Sequence, residues 1–155
     1  MLMVARDRSY PELRDVLIGR RVVIWTCNTC ARLCNDIGGS DSAERLAAAL
    51  REDGVEVIGT LSTSASCLEG KVRAKADAEL MSGTDVILSM TCNIGALCAE
   101  RVFRKEVLNP IVTVGAGFID ENRKMFVCGE GNKKLTAEEL SDAAAERGLR
   151  CDPYA

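Results

Sequence analysis

Short apolar runs alternate along the chain with longer stretches of helical spacing. A first helix is predicted from Tyr10 to Ile18, ended by Gly19. "RRVVIWT" then reads as a buried strand, because its apolar residues follow one another without a polar partner face. In "SDSAERLAAALREDG" the residues Ala43, Leu46, Ala47 and Leu50 fall on one helical face; Ser40 or Asp41 is expected to cap that helix and Gly54 to stop it. "VEVIGTL" predicts a second strand. A helix rich in Lys and Ala is expected from about Glu69 to Met81, with Val72, Ala76 and Leu80 on one side. "TDVILSM" predicts a third strand, the segment from Gly95 to Val107 a helix, and "PIVTVG" a fourth strand. Beyond it the rhythm changes. "IDENRK" has turn chemistry and leads to a hairpin strand "MFVC". "LTAEELSDAAAERG" predicts a last helix, with Thr136 and Glu139 as a capping box.

Strands alternating with helices at this spacing imply βαβ units and a parallel sheet covered on both faces. The predicted fold is therefore α/β: a single Rossmann-like three-layer domain over residues 1–155, with a mainly parallel sheet of four or five strands. A chain of 155 residues buries roughly 68–70% of its unfolded surface, so it folds without covalent staples. There is no internal repeat, low-complexity tract or Pro/Gly-rich linker.

A net charge of -3, with the cations scattered, argues against nucleic acid as a partner. The first residues, "MLMVARDRSY", lack the apolar core of a secretory signal, and no run of 18 apolar residues suits a membrane span. The expected compartment is the cytoplasm. Against that background the eight cysteines stand out, and so does the absence of any histidine. A reducing compartment disfavours structural disulfides, so the thiols point to a metal or redox site. Without histidine, acid–base catalysis by imidazole is excluded, and a metal would be held mainly by thiolate.

The positions of the thiols sharpen this. Cys27 ends the first predicted strand, and Cys30 and Cys34 lie in the loop after it, in "WTCNTCARLCNDIGG". Cys67 follows the second strand, Cys92 the third, and Cys128 ends "MFVC". In a parallel sheet all carboxyl ends lie on one edge, with neighbouring strands about 4.8 Å apart, and ligands bind there. The candidate metal ligands are thus Cys27, Cys30, Cys34, Cys67, Cys92 and Cys128. Cys67 and Cys92 lead, each being the only thiol of its loop; two more come from the first loop, with Cys30 and Cys34 favoured. Dispersed thiols suit a [4Fe–4S] cluster better than zinc, whose sites use two close pairs. Backbone N–H groups around Gly38, Gly39 and Gly95 are expected to face the sulfurs. Cys98, inside a helix, and Cys151, in the tail, read as small buried hydrophobes.

Two rival readings use the same residues. Cys27 and Cys30 form a C-x-x-C after a strand, as in a thioredoxin-like thiol–disulfide oxidoreductase, but Gly38 and Gly39 cut short the helix that such a site needs. "DIGGSD" offers a helix N-terminus to an anion, but Asp36 and Asp41 flank it. "GAG" at Gly115 to Gly117 is too short for a dinucleotide fingerprint.

The segments "CNTCARLC", "GGSDSAERLAAAL", "DVILSMTCNIGALCAERV" and "NPIVTVGAGF", with the isolated Cys67, resemble the MetV-type small subunits of acetogen methylenetetrahydrofolate reductases and the wider methylenetetrahydrofolate reductase C-terminal-domain family. The resemblance covers roughly Arg21 to Cys128. It implies a Rossmann-like iron–sulfur or zinc domain that docks on a flavin-containing catalytic subunit, alone or with further electron-transfer subunits, and catalyses nothing itself. It carries the family's thiols onto Cys27, Cys30, Cys34, Cys67 and Cys92. The family's second cysteine-rich motif is missing, Cys128 standing alone in its place. The expected function is that of an electron-transfer partner subunit in one-carbon metabolism; the alternative is a free-standing zinc protein or thiol–disulfide oxidoreductase.

Overall fold

The computed structural model describes residues 1–128, 134–135 and 145–154. The predicted final helix, with Thr136 and Glu139, lies largely outside the described residues. The architecture is α/β, with two four-stranded sheets.

The first sheet is parallel. Its strands are β2 (Arg21–Cys27), β3 (Glu56–Thr63), β4 (Val86–Met90) and β5 (Glu106–Leu108), in the order β3-β2-β4-β5. Period two in β2 sends Val22 and Ile24 to one face and Val23 and Trp25 to the other. On the first face they meet α1 (Tyr10–Leu17) through Leu13 and Leu17, and α3 (Ser40–Glu52) through Ala43, Leu46, Ala47 and Leu50. On the second they meet Val72 of α4 (Glu69–Arg73), Met81 of α5 (Ala78–Ser82), and Ala99 and Phe103 of α6 (Asn93–Phe103). Trp25 is wholly buried there, edge-on to Phe103 at 5.1 Å between ring centres. Burial on both faces explains why these strands read as unbroken apolar runs.

The second sheet is antiparallel, in the order β1-β6-β7-β8: β1 (Leu2–Arg6), β6 (Ile111–Ile119), β7 (Met125–Cys128) and β8 (Lys134–Leu135). Met3, Val4, Ile111, Met125 and Val127 join the same core as α1 and α3. Gly117 makes the β6–β7 hairpin feasible, since a Cβ there would lie 1.9 Å from the Phe126 carbonyl oxygen.

Three expectations are corrected, and one strand is new. "PIVTVG" is not the fourth strand of the parallel sheet; that place belongs to the short β5, and Ile111–Ile119 pairs with β1 instead. The N-terminal residues form a strand that their low β-branched content did not announce. The helix expected over 69–81 is two helices, broken where the Asp77 carboxylate accepts the Leu80 N–H (2.8 Å) and starts a new one. Neither Ser40 nor Asp41 caps α3: Gly39 occupies the cap, and the Ser40 N–H donates to Asn28 Oδ1 (2.8 Å). Among the described residues no helix is long and apolar enough to cross a membrane.

Candidate functional site

From β2 the chain passes to β3 on one side, and β4 later pairs with the other side of β2. The strand order therefore reverses between β2 and β4, which is where open α/β sheets bind their ligands. Cys27 is the last residue of β2, and Cys92 follows β4 by two residues. Thr26 ties the two ends together. Its hydroxyl donates to the Met90 carbonyl (3.1 Å) and accepts the Gly39 N–H (2.7 Å). Gly38 lies so close to β4 that a Cβ would stand 2.6 Å from both Ala31 Cβ and the Met90 oxygen. Between them α2 (Cys30–Leu33) is a single turn, ended by Asn35 and Asp36 in left-handed conformation at φ 50° and 52°.

Cys34 is fully buried. Its thiol donates to the Leu2 carbonyl (3.8 Å) and lies 3.7 Å from the Met3 sulfur. Burial pushes its pKa up to about 11, against the opposing pull of the Val4 N–H. Cys30 is half-buried and its sulfur accepts the Leu2 N–H at 3.5 Å. Cys92 is 8% exposed and precedes the first residue of α6. Burial raises its pKa; the Gly95 and Ile94 amides at the start of α6 pull the other way without closing a full capping bond, and the Cys30 and Cys27 thiols beside it push up. The Cys27 thiol donates to the Ser64 carbonyl at 3.8 Å.

The structure thus brings Cys27, Cys30, Cys34 and Cys92 near one another at the carboxyl ends of β2 and β4. It adds a thiol that sequence reasoning set aside. Cys151 lies beside Cys34, held by the Asn35 amide donating to its carbonyl (3.1 Å) and by the bridge between Arg6 and Arg150. Asp152 and Pro153 in "RCDPY" signal a turn, but no spacing to another thiol marks Cys151. Cys67 is exposed, and its thiol neighbour is Cys98 of α6. Cys128 is exposed at the end of β7. Of the expected amide donors, Gly95 faces a sulfur, whereas Gly38 and Gly39 spend theirs on the Ala31 carbonyl and the Thr26 hydroxyl.

Among the described residues no three Cys, Asp or Glu side chains stand close enough to chelate a metal as they are. The donor chemistry nevertheless fits a thiolate centre. The site offers four thiols, three with backbone N–H groups beside their sulfurs, as a metal-bound thiolate requires. Protonated thiols pack as small hydrophobes.

A neighbouring cleft of about 220 Å³ at the start of α3 is lined by Asn28, Arg32, Asp36, Gly39, Asp41 and Ser42. Two carboxylates stand in it, and the Gly39 and Ser40 amides are already committed to Thr26 and Asn28, so it is a poor anion site. Comparison of the chain with protein-family models, with curated proteins and with solved structures finds no match, so the functional reading rests on the fold and the thiol site.

Proposed function

We propose that this chain is a Rossmann-like, cluster-binding partner subunit of a flavin-dependent methylenetetrahydrofolate reductase or a related one-carbon redox complex, holding a [4Fe–4S] centre on Cys27, Cys30, Cys34 and Cys92. The observation that carries the reading is the gathering of these four thiols at the point where the strand order reverses, with main-chain amides of β1 and α6 facing three of the sulfurs. When bound, the cluster supplies one-electron transfer. The protein's own part is to shield Cys34 and Cys92 from water, which alone would disfavour their thiolates, and to direct N–H groups at sulfur, which favours the thiolate and raises the reduction potential. Leu33, between Cys30 and Cys34, and Ile94 and Leu97, after Cys92, are exposed large apolar side chains. They give the flavin-bearing partner an apolar rim around the centre. The chain needs no catalytic group of its own for this role.

Anaerobic purification tests the proposal. The protein is expected to be brown, with a broad visible band that dithionite bleaches and with iron and sulfide in equal amounts. Cys92→Ser is expected to abolish the band. A colourless protein with one tightly bound zinc would overturn the cluster while keeping the thiol site, and a metal-free protein after anoxic reconstitution would overturn both. Co-purification of a flavoprotein checks the partner.

A further inference from the structure

Cys67 stands outside the thiol site just described, and the structure gives it a different companion. Two polar contacts pin the start of α4 to α6 on either side of it. The Ser66 hydroxyl, itself bonded by the Trp25 indole N–H (2.8 Å), donates to the Gly95 carbonyl at 2.9 Å. Glu69 accepts from Arg101 Nε at 3.2 Å. Cys67 follows the first anchor, and Cys98 lies three residues after Gly95 and three before Arg101. The turn of α6 that carries Cys98 is therefore held opposite Cys67, between the two anchors. Cys67 is exposed and Cys98 is half-buried at the edge of the Trp25–Phe103 cluster. Burial raises the Cys98 pKa, as do the neighbouring Glu69 carboxylate and the Cys67 thiol, while Arg101 opposes them.

We propose that Cys67 and Cys98 form a second thiol site, a dithiol that exchanges with low-molecular-weight disulfides and closes to a reversible disulfide across the α4–α6 seam. The accessible Cys67 is the attacking thiol. Its thiolate displaces one thiolate from the reagent disulfide, breaking that S–S bond and forming a mixed disulfide. The Cys98 thiolate then attacks the Cys67 sulfur and expels the second reagent thiol. Two protein thiols give up two electrons and two protons, and one reagent disulfide becomes two thiols. The Ser66 and Glu69 anchors hold the backbone on either side of the seam. The bond would fasten the loop after β3 to the helix whose first turn faces Cys92.

The test uses the full chain, reduced, desalted anaerobically and exposed to glutathione disulfide before alkylation and digestion. Trypsin places Cys67 on the peptide 52–71 and both Cys92 and Cys98 on 76–101, so fragmentation between the latter two assigns the linkage. The expected product is a 67–98 crosslink lighter by two hydrogens. In Cys98→Ser the reaction is expected to stop at a glutathione adduct on Cys67. A wild-type protein in which Cys67 keeps the adduct, or links to Cys92 or Cys27, overturns the proposal. Metal content separates this result from the fate of the cluster. Cys67→Ser is expected to keep whatever iron or zinc the wild type carries; loss of metal in that variant makes Cys67 a ligand and overturns the exchange site. If the wild type proves metal-free, the crosslink alone decides.

Discussion

Ser66→Ala tests whether the loop after β3 is held by a buried relay. The Ser66 side chain is 1% exposed and stands between the fully buried Trp25 indole N–H and the Gly95 carbonyl of α6. Removing the hydroxyl strands the wholly buried indole N–H, at about 1–3 kcal/mol. It also deletes the bond to Gly95, worth about 1 kcal/mol, although the helical carbonyl keeps a second lone pair for its own helix. The sum is about 3 kcal/mol. With a urea m-value of about 2 kcal/mol/M for a domain of this size, the midpoint should fall by about 1.5 M. The chain has one tryptophan, so its emission reports both the unfolding and the environment of the indole. Ser64→Ala is the control, since that exposed hydroxyl meets only Lys71 Nζ and should cost less than about 0.5 kcal/mol. A Ser66→Ala midpoint within about 0.5 M of wild type would refute the relay and loosen the placement of Cys67 and Gly95 with it.

Two further outcomes follow from the thiol site. In metal-free protein the Cys34 pKa stands at about 11 against an ordinary 9.0. The folded state holds that proton more tightly than the unfolded one, so the stabilisation is complete below pH 9 and is lost as pH rises from 9 to 11, by about 1 kcal/mol at pH 10. Urea midpoints at pH 8 and pH 10 should therefore converge in Cys34→Ala relative to wild type, and an unchanged difference refutes the assignment. Gly38→Ala forces a methyl against the Met90 carbonyl and Ala31 Cβ and should cost about 1–3 kcal/mol by overpacking, read as a lower melting temperature; a neutral effect would mean that the loop does not lie on β4.

The parts of the fold that the sequence announces are those whose burial is symmetrical. β2 and β4 are wrapped on both faces, so continuous apolar runs betray them, and α3 carries a stripe at helical spacing. Sheet membership is another matter. Ile111–Ile119 has strand composition, but nothing in its period tells which sheet it joins, and its partner β1 lies more than a hundred residues away. β5 is too short, at three residues, to outcompete the end of the preceding helical pattern. The α3 cap went astray because a tertiary partner, Asn28, took the Ser40 amide that a local side chain was expected to bind. The thiol edge was legible because three strands end in or near cysteine, and strand ends are what periodicity locates. Which thiols share a site was not. Cys67 and Cys92 both follow strands, yet the Ser66 and Glu69 anchors direct the first toward Cys98, and the tail that carries Cys151 docks through the Arg6–Arg150 bridge and the Arg6 side chain on Asp152 and Tyr154, pairings across the whole chain that leave no local pattern in the sequence.

The antiparallel sheet has a use that its position alone does not suggest. β1 is the outermost strand of its sheet, paired along its length with β6 and bridged on its other side at Arg6, by Arg150. An exposed edge of this kind invites pairing with other chains unless something covers it. Met1 exchanges hydrogen bonds with Gly117 on the β6 side, so by alternation the amides of Leu2 and Val4 point to the free edge. These are the two amides that face Cys30 and Cys34. The thiol loop therefore covers the edge, and the edge in turn supplies N–H groups to sulfur. A one-residue slip of β1 along β6 would turn both amides away and replace the Met3 contact on Cys34. The register is fixed close to the other end of the thiol site, where Thr113, the partner of Val4, exchanges hydrogen bonds with Asn93 beside Cys92 (3.1 and 3.2 Å). The same few backbone groups thus set the sheet's alignment and the surroundings of three thiols, so the polarity around the sulfurs is built into the fold.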